Sequence, residues 1–452
     1  MNTIESLLSG AVDKPLISYG RHTETQVSFA HRVNSMVARL QKMKQLPDTN
    51  FVLVAEENPI TFYVLLLALL KNGNRVILPT RDYFADPKSI TYYRYSVDCP
   101  GTEVRVTTNP VFSPVDIPDS GDMVVFSSGS TGTPKGILHA HTHFLSNADA
   151  VSQITMETGV TSITFLKPYL VSALSHFFVH FLTKSHLLFA DYDNVHALGR
   201  HYTSGRRNIG VVGSPMHLTS ALRFIPPEAG PRLFFSSGDF LSGASTARIL
   251  KTFPDTVIYN VYGLAELAGR FFINRINATS PVESYETIGN PINNTRYRLD
   301  HEQLFVDADF LFKGYIRGNR FEPATAWHPT QDLAREGGQG LYLIGRANDE
   351  VKILGNKVSL KHIENRIKRV LDRDVAVAIA SEHPHFGNIL SLVLDDGTGL
   401  SRLDLILLLR AQLKPYEIPH QFFVMDDIPF TQTMKIDRVA ITDRLDTLKV
   451  IA

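Results

Sequence analysis

The stretch 124–136 reads Val-Val-Phe-Ser-Ser-Gly-Ser-Thr-Gly-Thr-Pro-Lys-Gly. An apolar run enters it, and a turn rich in hydroxyls and glycine leaves it. Ser127, Ser128, Ser130, Thr131 and Thr133 offer hydroxyl donors, and Lys135 adds one cation. Gly129 and Gly132 let backbone N–H groups come close to an anion. Such a set suits a polyphosphate. It is not a Walker A loop, because Pro134 precedes the lysine and Gly136 follows it where Ser or Thr would stand. Taken alone, this density of small polar residues also suits a solvated loop.

The order of these residues resembles the phosphate loop of the adenylate-forming superfamily, which includes acyl- and aryl-CoA synthetases, peptide-synthetase adenylation domains and luciferases. The resemblance implies ATP and Mg2+ as cofactors, and a carboxylic acid converted to an acyl- or aryl-AMP before transfer to a thiol. Three further segments carry it. Asn260-Val261-Tyr262-Gly263-Leu264-Ala265-Glu266 is similar to the family's Tyr-Gly-x-Thr-Glu motif, with Ala265 in place of the threonine. By that likeness Tyr262, Gly263 and Asn260 line the adenine and Glu266 holds the metal. Thr330-Gln331-Asp332 resembles Thr-Gly-Asp, with Asp332 accepting from the ribose hydroxyls, a task suited to an acceptor-only group. Gln331 replaces a glycine there, which puts the local backbone geometry in question. Leu343 to Lys352 resembles the hinge between a large and a small domain, with Arg346 reaching the ribose and Asn348 at the pivot. Lys352 and Gly355 then line the thiol tunnel.

The fourth segment, Pro429-Phe430-Thr431-Gln432-Thr433-Met434-Lys435, resembles the C-terminal Pro-x-Thr-x-x-Gly-Lys loop, with Met434 at the glycine. There Lys435 bridges the substrate carboxylate and the α-phosphate, where negative charge gathers during transfer. Amino-acid-activating relatives carry an aspartate early in the region corresponding to 166–176, and no acid stands there. Tyr169, Ser172, His176, Phe235 and Gly238 are candidates for the acid pocket, with an aryl acid preferred. The acceptor thiol belongs to coenzyme A or to a carrier protein supplied in trans. The contrasting reading is a catalytically weakened, nucleotide-binding member that serves a partner as a conformational switch.

Composition bounds these readings. Lys+Arg and Asp+Glu are both 45 in 452 residues, so no global basic field points to nucleic acid. The single cysteine, Cys99, excludes an intramolecular disulfide and a cysteine-rich zinc site. With no basic and apolar leader at the N-terminus, the expectation is a cytoplasmic protein. The most apolar stretch, 163–190, is broken by Lys167, His176, His180, Lys184 and His186, which fits a buried element better than a membrane span.

Positioning the motifs requires an α/β scaffold. Strand-like runs at 51–55, 75–79, 209–213, 232–238 and 256–263 alternate with helical patterns at 28–40, 59–71, 141–152, 215–222 and 242–252. That alternation predicts stacked, mostly parallel sheets with helices on their faces. From 287 to 344 short strands with Gly, Pro and Asn turns predict a β-rich subdomain. A small mobile α+β C-terminal domain follows, with helices at 361–371 and 402–413 and strands near 375–380 and 389–394. The domains are expected at 1–347 (ATP and acid binding) and 348–452 (a lid).

Overall fold

Alternating apolar runs and helices assemble, in the computed structural model, into several sheets with buried helices between them. The structure describes residues 3–43, 46, 51–79, 90–118, 121–126, 135–155, 158–190, 208–221, 225–347, 350–373, 375–383, 387–395, 399–429 and 436–451. A nine-stranded sheet runs in the order Asn290–Pro291, Gly269–Ile276, Val257–Leu264, Leu233–Ser237, Ile209–Gly213, Thr161–Thr164, His186–Phe189, Pro15–Tyr19, His22–Thr25. The six strands from Val257–Leu264 to Pro15–Tyr19 are mutually parallel, and antiparallel strands close both edges. An eight-stranded sheet holds a parallel centre of Met123–Phe126, Arg75–Ile77, Phe51–Val54 and Tyr93–Asp98.

Helix Pro59–Lys71 shows how the two sheets are joined. Asn58 caps it through bonds from the Ile60 and Thr61 amides, and Pro59 occupies the first helical position, where a missing N–H costs nothing. Its residues from Phe62 to Leu70 are all buried, so it has no solvated face. It packs on strands of both sheets. Tyr63 stacks on Phe177 of helix Val171–Leu182, with ring centroids 3.9 Å apart. Burying aromatic side chains of this size contributes roughly 1.5–3 kcal/mol each. The apolar stretch at 163–190 therefore lies inside a sheet protein: it resolves into the end of strand Thr161–Thr164, this helix, and strand His186–Phe189. Among the described residues no helix is long and apolar enough to cross a membrane.

The β-rich region is a four-stranded antiparallel sheet of Arg296–Asp300, Gln303–Asp307, His328–Gly337 and Gly340–Arg346. One hairpin leaves it. Strand Gly314–Arg317 crosses to the eight-stranded sheet and pairs with Gly136–His139, Ile316 opposite Gly136. This crossing places Tyr315 beside the end of the Ser/Thr/Gly loop. Ahead of that loop the chain also forms strands Tyr93–Asp98 and Arg105–Thr108, at the far edge of the eight-stranded sheet.

After residue 350 the chain builds a separate core. A hairpin of Glu350–Ile353 and Asn356–Ser359 precedes helix Leu360–Leu371 and a four-stranded sheet, with Ile353, Ile363, Ile367, Leu390, Leu405 and Phe422 buried together. The expected pivot, Asn348, lies outside the described residues, as do Ser127 to Pro134 and Lys435.

Candidate active site

Asp332 is a buried carboxylate held by side chains from two other strands. It lies on strand His328–Gly337, paired with Arg346 of the neighbouring strand, and is 7% exposed. The Tyr262 hydroxyl donates to its Oδ2 at 2.5 Å, and Arg346 Nε donates to its Oδ1 at 2.8 Å. The Asp332 amide donates to Thr330 Oγ1, which itself donates to the Leu304 carbonyl. An ionised carboxylate is acceptor-only, which is the chemistry a diol's hydroxyls need. Burial, reinforced by the Asp332 charge, pushes the Tyr262 hydroxyl well above its ordinary range, so it stays a donor. Gln331, standing where a glycine was expected, has φ +64°. The glycine-like backbone is therefore retained, at the cost of holding a side chain in the left-handed region.

Glu266 sits in the short 3₁₀ turn Ala265–Leu267 that links Val257–Leu264 to the antiparallel Gly269–Ile276. The turn is tight: a Cβ on Gly263 would lie 2.0 Å from the Gly269 carbonyl oxygen, so only glycine fits. Ala268 closes the turn at φ +52°. Three bonds hold it to the eight-stranded sheet and the connection that enters it. The Phe312 amide donates to the Glu266 carbonyl at 2.8 Å, the Tyr315 hydroxyl donates to Glu266 Oε1 at 2.9 Å, and His139 Nε2 lies 2.8 Å from the Ala265 carbonyl. Because a carbonyl only accepts, that His139 nitrogen carries its proton. Its Nδ1 then accepts from His143 Nδ1 at 3.2 Å. Burial and the neighbouring His143 depress the His139 imidazole to about 3. Burial, with Lys313 nearby, depresses His143 to about 4.

Lys135 completes this half of the site. Its Nζ sits 3.1 Å from the Tyr315 ring centroid, a cation over an aromatic face. Burial lowers its affinity for a proton, and the Glu266 charge partly restores it. Tyr315 thus touches both the loop's cation and the turn's carboxylate. Neither Tyr315 nor His139 stood out in the sequence. A Gly-Tyr pair and a lone histidine on an apolar strand carry no signal until the strand crossing brings them here.

Helix Val171–Leu182 packs on strand Gly269–Ile276 of this turn, within the core shared by the two large sheets. His176 is buried and meets Phe235 edge-on at 5.4 Å, and Phe235 stacks on Tyr259 at 5.0 Å. Burial and Arg270 hold the His176 imidazole well below its ordinary range. Ser172 lies one helical turn before His176, and Tyr169 is buried just ahead of the helix. Gly238, φ +88°, follows the strand of Phe235. Asn260 is the register partner of Ser236. Tyr262 and Gly263 lie on that same strand, so the nucleotide candidates and the acid candidate Phe235 occupy two adjacent strands.

Lys352 and Gly355 sit apart, on the hairpin after residue 350. Lys352 pairs with Lys357, and Gly355 makes the turn at φ +81°. The C-terminal region meets the large region through helix Leu360–Leu371. Lys361 Nζ donates to Asp239 Oδ1 at 2.5 Å, and Arg369 pairs with Glu286 while its guanidinium lies over Phe240. Burial would raise the Asp239 carboxyl, but Lys361 and Lys368 outweigh it and hold the group well below the usual carboxylate range.

The donor set can be tested against the expected metal. Among the described residues no three His, Cys, Asp or Glu side chains form a cluster able to hold an ion. A lone carboxylate such as Glu266 suits Mg2+, which keeps several waters and is bound largely through substrate phosphates.

Known proteins agree with this architecture. The profile of AMP-binding enzymes matches residues 79–315, just over half of the 452 residues. The chain belongs to this AMP-binding enzyme family, the adenylate-forming superfamily. VraA of Staphylococcus aureus (strain COL) is 23% identical over 97% of both chains. Bacitracin synthase 3 of Bacillus licheniformis is 24% identical over 92% of this chain, which spans only 7% of that relative's length. The solved o-succinylbenzoate coenzyme A synthetase (MenE) of Bacillus subtilis, in complex with AMP, shares the fold with a TM-score of 0.76 at 16% identity, covering 98% of each chain.

Proposed function

We propose that the protein is an AMP-forming acid–thiol ligase. A carboxylate oxygen of the acid attacks the α-phosphorus of ATP, and the bond to the bridging oxygen of the β-phosphate breaks. Pyrophosphate leaves and an acyl- or aryl-AMP remains. A thiolate, of coenzyme A or of a carrier protein's pantetheine, then attacks the acyl carbon and AMP leaves with the bonding pair. The thiol proton goes to solvent.

The observation that carries this reading is the pairing of two sites on one strand and its turn. Asp332, oriented by Tyr262 and Arg346, offers acceptors for a ribose diol. Glu266, tied through Tyr315 to Lys135, offers a carboxylate and a cation for the phosphates. In this reading Asn260, Tyr262 and Gly263 border the adenine, and Ser127 to Thr133 with Lys135 hold the β- and γ-phosphates. Glu266 would hold Mg2+, which neutralises phosphate charge as pyrophosphate departs. Lys435 bridges the carboxylate and the α-phosphate. The acid lies against His176 and Phe235, where the Phe235–Tyr259 stack favours an aryl acid. Rotation about Asn348 exchanges the lid face, bringing Lys352 and Gly355 to the thiol. The lid is taken to be residues 348–452.

Mass spectrometry of a single-turnover mixture tests this. The expected products with ATP and an accepted acid are the acyl-adenylate and pyrophosphate, followed by a thioester when coenzyme A or a pantetheinylated carrier protein is added. Release of ADP and phosphate instead would refute the assignment.

A further inference from the structure

Strand Gly136–His139 is buried along its whole length, and it ends in a histidine. The His139 ring is fully buried and packs edge-on against Phe144, with ring centroids 5.1 Å apart. Histidine is a costly residue for such a place, because both ring nitrogens call for partners. Here each has one. Nε2 reaches the Ala265 carbonyl, 126 positions away, at 2.8 Å, and Nδ1 meets His143 Nδ1 in the first turn of helix His141–Thr155 at 3.2 Å. That helix is itself pinned at its start, where the His141 amide donates to Asp122 Oδ1 at 2.6 Å. The turn that His139 holds is one the backbone does not favour. Ala268 closes it at φ +52°, and a residue in the left-handed region persists only where its surroundings over-determine it.

We infer that His139, with its proton placed by His143, is a positioning residue for Glu266 in the adenylation step. The inference deepens the ligase reading and rests on it. His139 acts through the backbone. A peptide unit is planar, so fixing the Ala265 carbonyl also fixes the bond that enters the Glu266 Cα. The Phe312 amide fixes the next carbonyl, that of Glu266 itself, at 2.8 Å. With both flanking peptide planes held, the direction in which the Glu266 side chain leaves the backbone is set, and the Tyr315 hydroxyl then holds its far end. A neutral imidazole gives Nε2–H to a carbonyl only when Nδ1 is the acceptor, and the His143 proton at Nδ1 selects that tautomer. A carboxylate meant for a metal serves it only when held within about 0.5 Å of its place.

The test compares ATP affinity with Mg2+ and with EDTA by calorimetry, beside ATP–pyrophosphate exchange, all with the full chain. His139→Leu removes both ring bonds. It should forfeit about 5- to 30-fold of the ATP affinity that Mg2+ adds in the wild type, and the Mg2+ concentration for half-maximal exchange should rise by a similar factor. ATP affinity in EDTA and the KM for the acid should stay within about twofold, because neither depends on where Glu266 points. His139→Gln, whose amide nitrogen can stand where Nε2 stood, should recover most of the loss. His143→Leu should show the same change at about two- to fivefold, and it makes the comparison if thermal unfolding shows that His139→Leu does not fold. A wild-type Mg2+ effect in both Leu variants would overturn the inference, as would a loss of ATP affinity that is equal with Mg2+ and with EDTA, or a Gln variant no better than Leu. Wild-type protein that binds ATP with Mg2+ yet exchanges with no acid overturns the ligase reading instead, and this inference falls with it.

Discussion

Tyr315→Phe separates two things that one side chain does. The variant keeps the ring under Lys135 and deletes only the hydroxyl that donates to Glu266 at 2.9 Å. Burial, then the Glu266 charge, pushes that hydroxyl above its ordinary range, so it is a donor at any working pH. A hydrogen bond to a charged group is worth about 1.5–3 kcal/mol, and the lower end applies because Tyr315 and Glu266 are only partly buried. About 1.5 kcal/mol corresponds to roughly tenfold in a rate or binding constant. The assay is exchange rate against Mg2+ concentration at saturating acid. Tyr315→Phe should raise the Mg2+ requirement roughly tenfold, because Glu266 loses the bond that fixes its orientation. Tyr315→Leu should weaken ATP binding a further two- to fivefold, since a cation over a ring contributes about 0.5–1 kcal/mol. A Mg2+ titration unchanged in Tyr315→Phe, or a Leu variant identical to the Phe variant, would refute the coupling of Lys135 to Glu266.

Gln331→Gly should raise the melting temperature by a degree or two. Relief of about 1–2 kcal/mol of left-handed strain at φ +64° outweighs the added chain entropy of about 0.5–1 kcal/mol. Gly263→Ala should destabilise by several kcal/mol, read as loss of soluble protein or a large drop in melting temperature, because its Cβ would sit 2.0 Å from a carbonyl oxygen. Lys361→Met should leave Asp239 without its nearest cation, costing about 1–3 kcal/mol, and a larger radius of gyration by small-angle scattering would report separation of the two regions. Stability should also fall between about pH 6.5 and pH 4. His139, with a folded value near 3, and His143 and His217, near 4, bind protons only on unfolding, so their contribution is full above the unfolded value of 6.5 and is lost below it. Each such site steepens the decline by up to about 1.4 kcal/mol per pH unit, and His143→Gln should flatten the measured slope.

The alternating scaffold was legible because its elements carry strong local signals. The helix expected over 59–71 is observed as Pro59–Lys71, and the strand expected over 209–213 as Ile209–Gly213. Both are long apolar runs with clear caps or turns. Strands Tyr93–Asp98 and Arg105–Thr108 escaped because neither shows a sustained apolar face. The helix expected over 402–413 stops at Arg410, where the chain turns toward Pro415. For the site, the order of motifs singled out Tyr262, Glu266, Asp332 and Arg346; the structure bonds Tyr262 and Arg346 to Asp332 and puts Glu266 in the turn after the Tyr262 strand. The bonds that orient them were not readable. The Tyr315–Glu266 and His139–Ala265 contacts join residues 49 and 126 positions apart, and long-range pairing leaves no local pattern. The Gln331 backbone was unreadable for the opposite reason. Local propensity argues against φ +64°, and the pairing of its strand with Gly340–Arg346 overrides it.

The most direct test of acid adenylation is carboxylate-dependent ATP–pyrophosphate exchange over benzoates, cinnamates, fatty acids of several lengths and amino acids. An adenylating ligase gives strong exchange with one acid class, none without acid, and none in Lys435→Ala although ATP still binds. Silence across the panel from a chain that binds ATP normally would contradict it and leave a nucleotide-dependent switch as the better account.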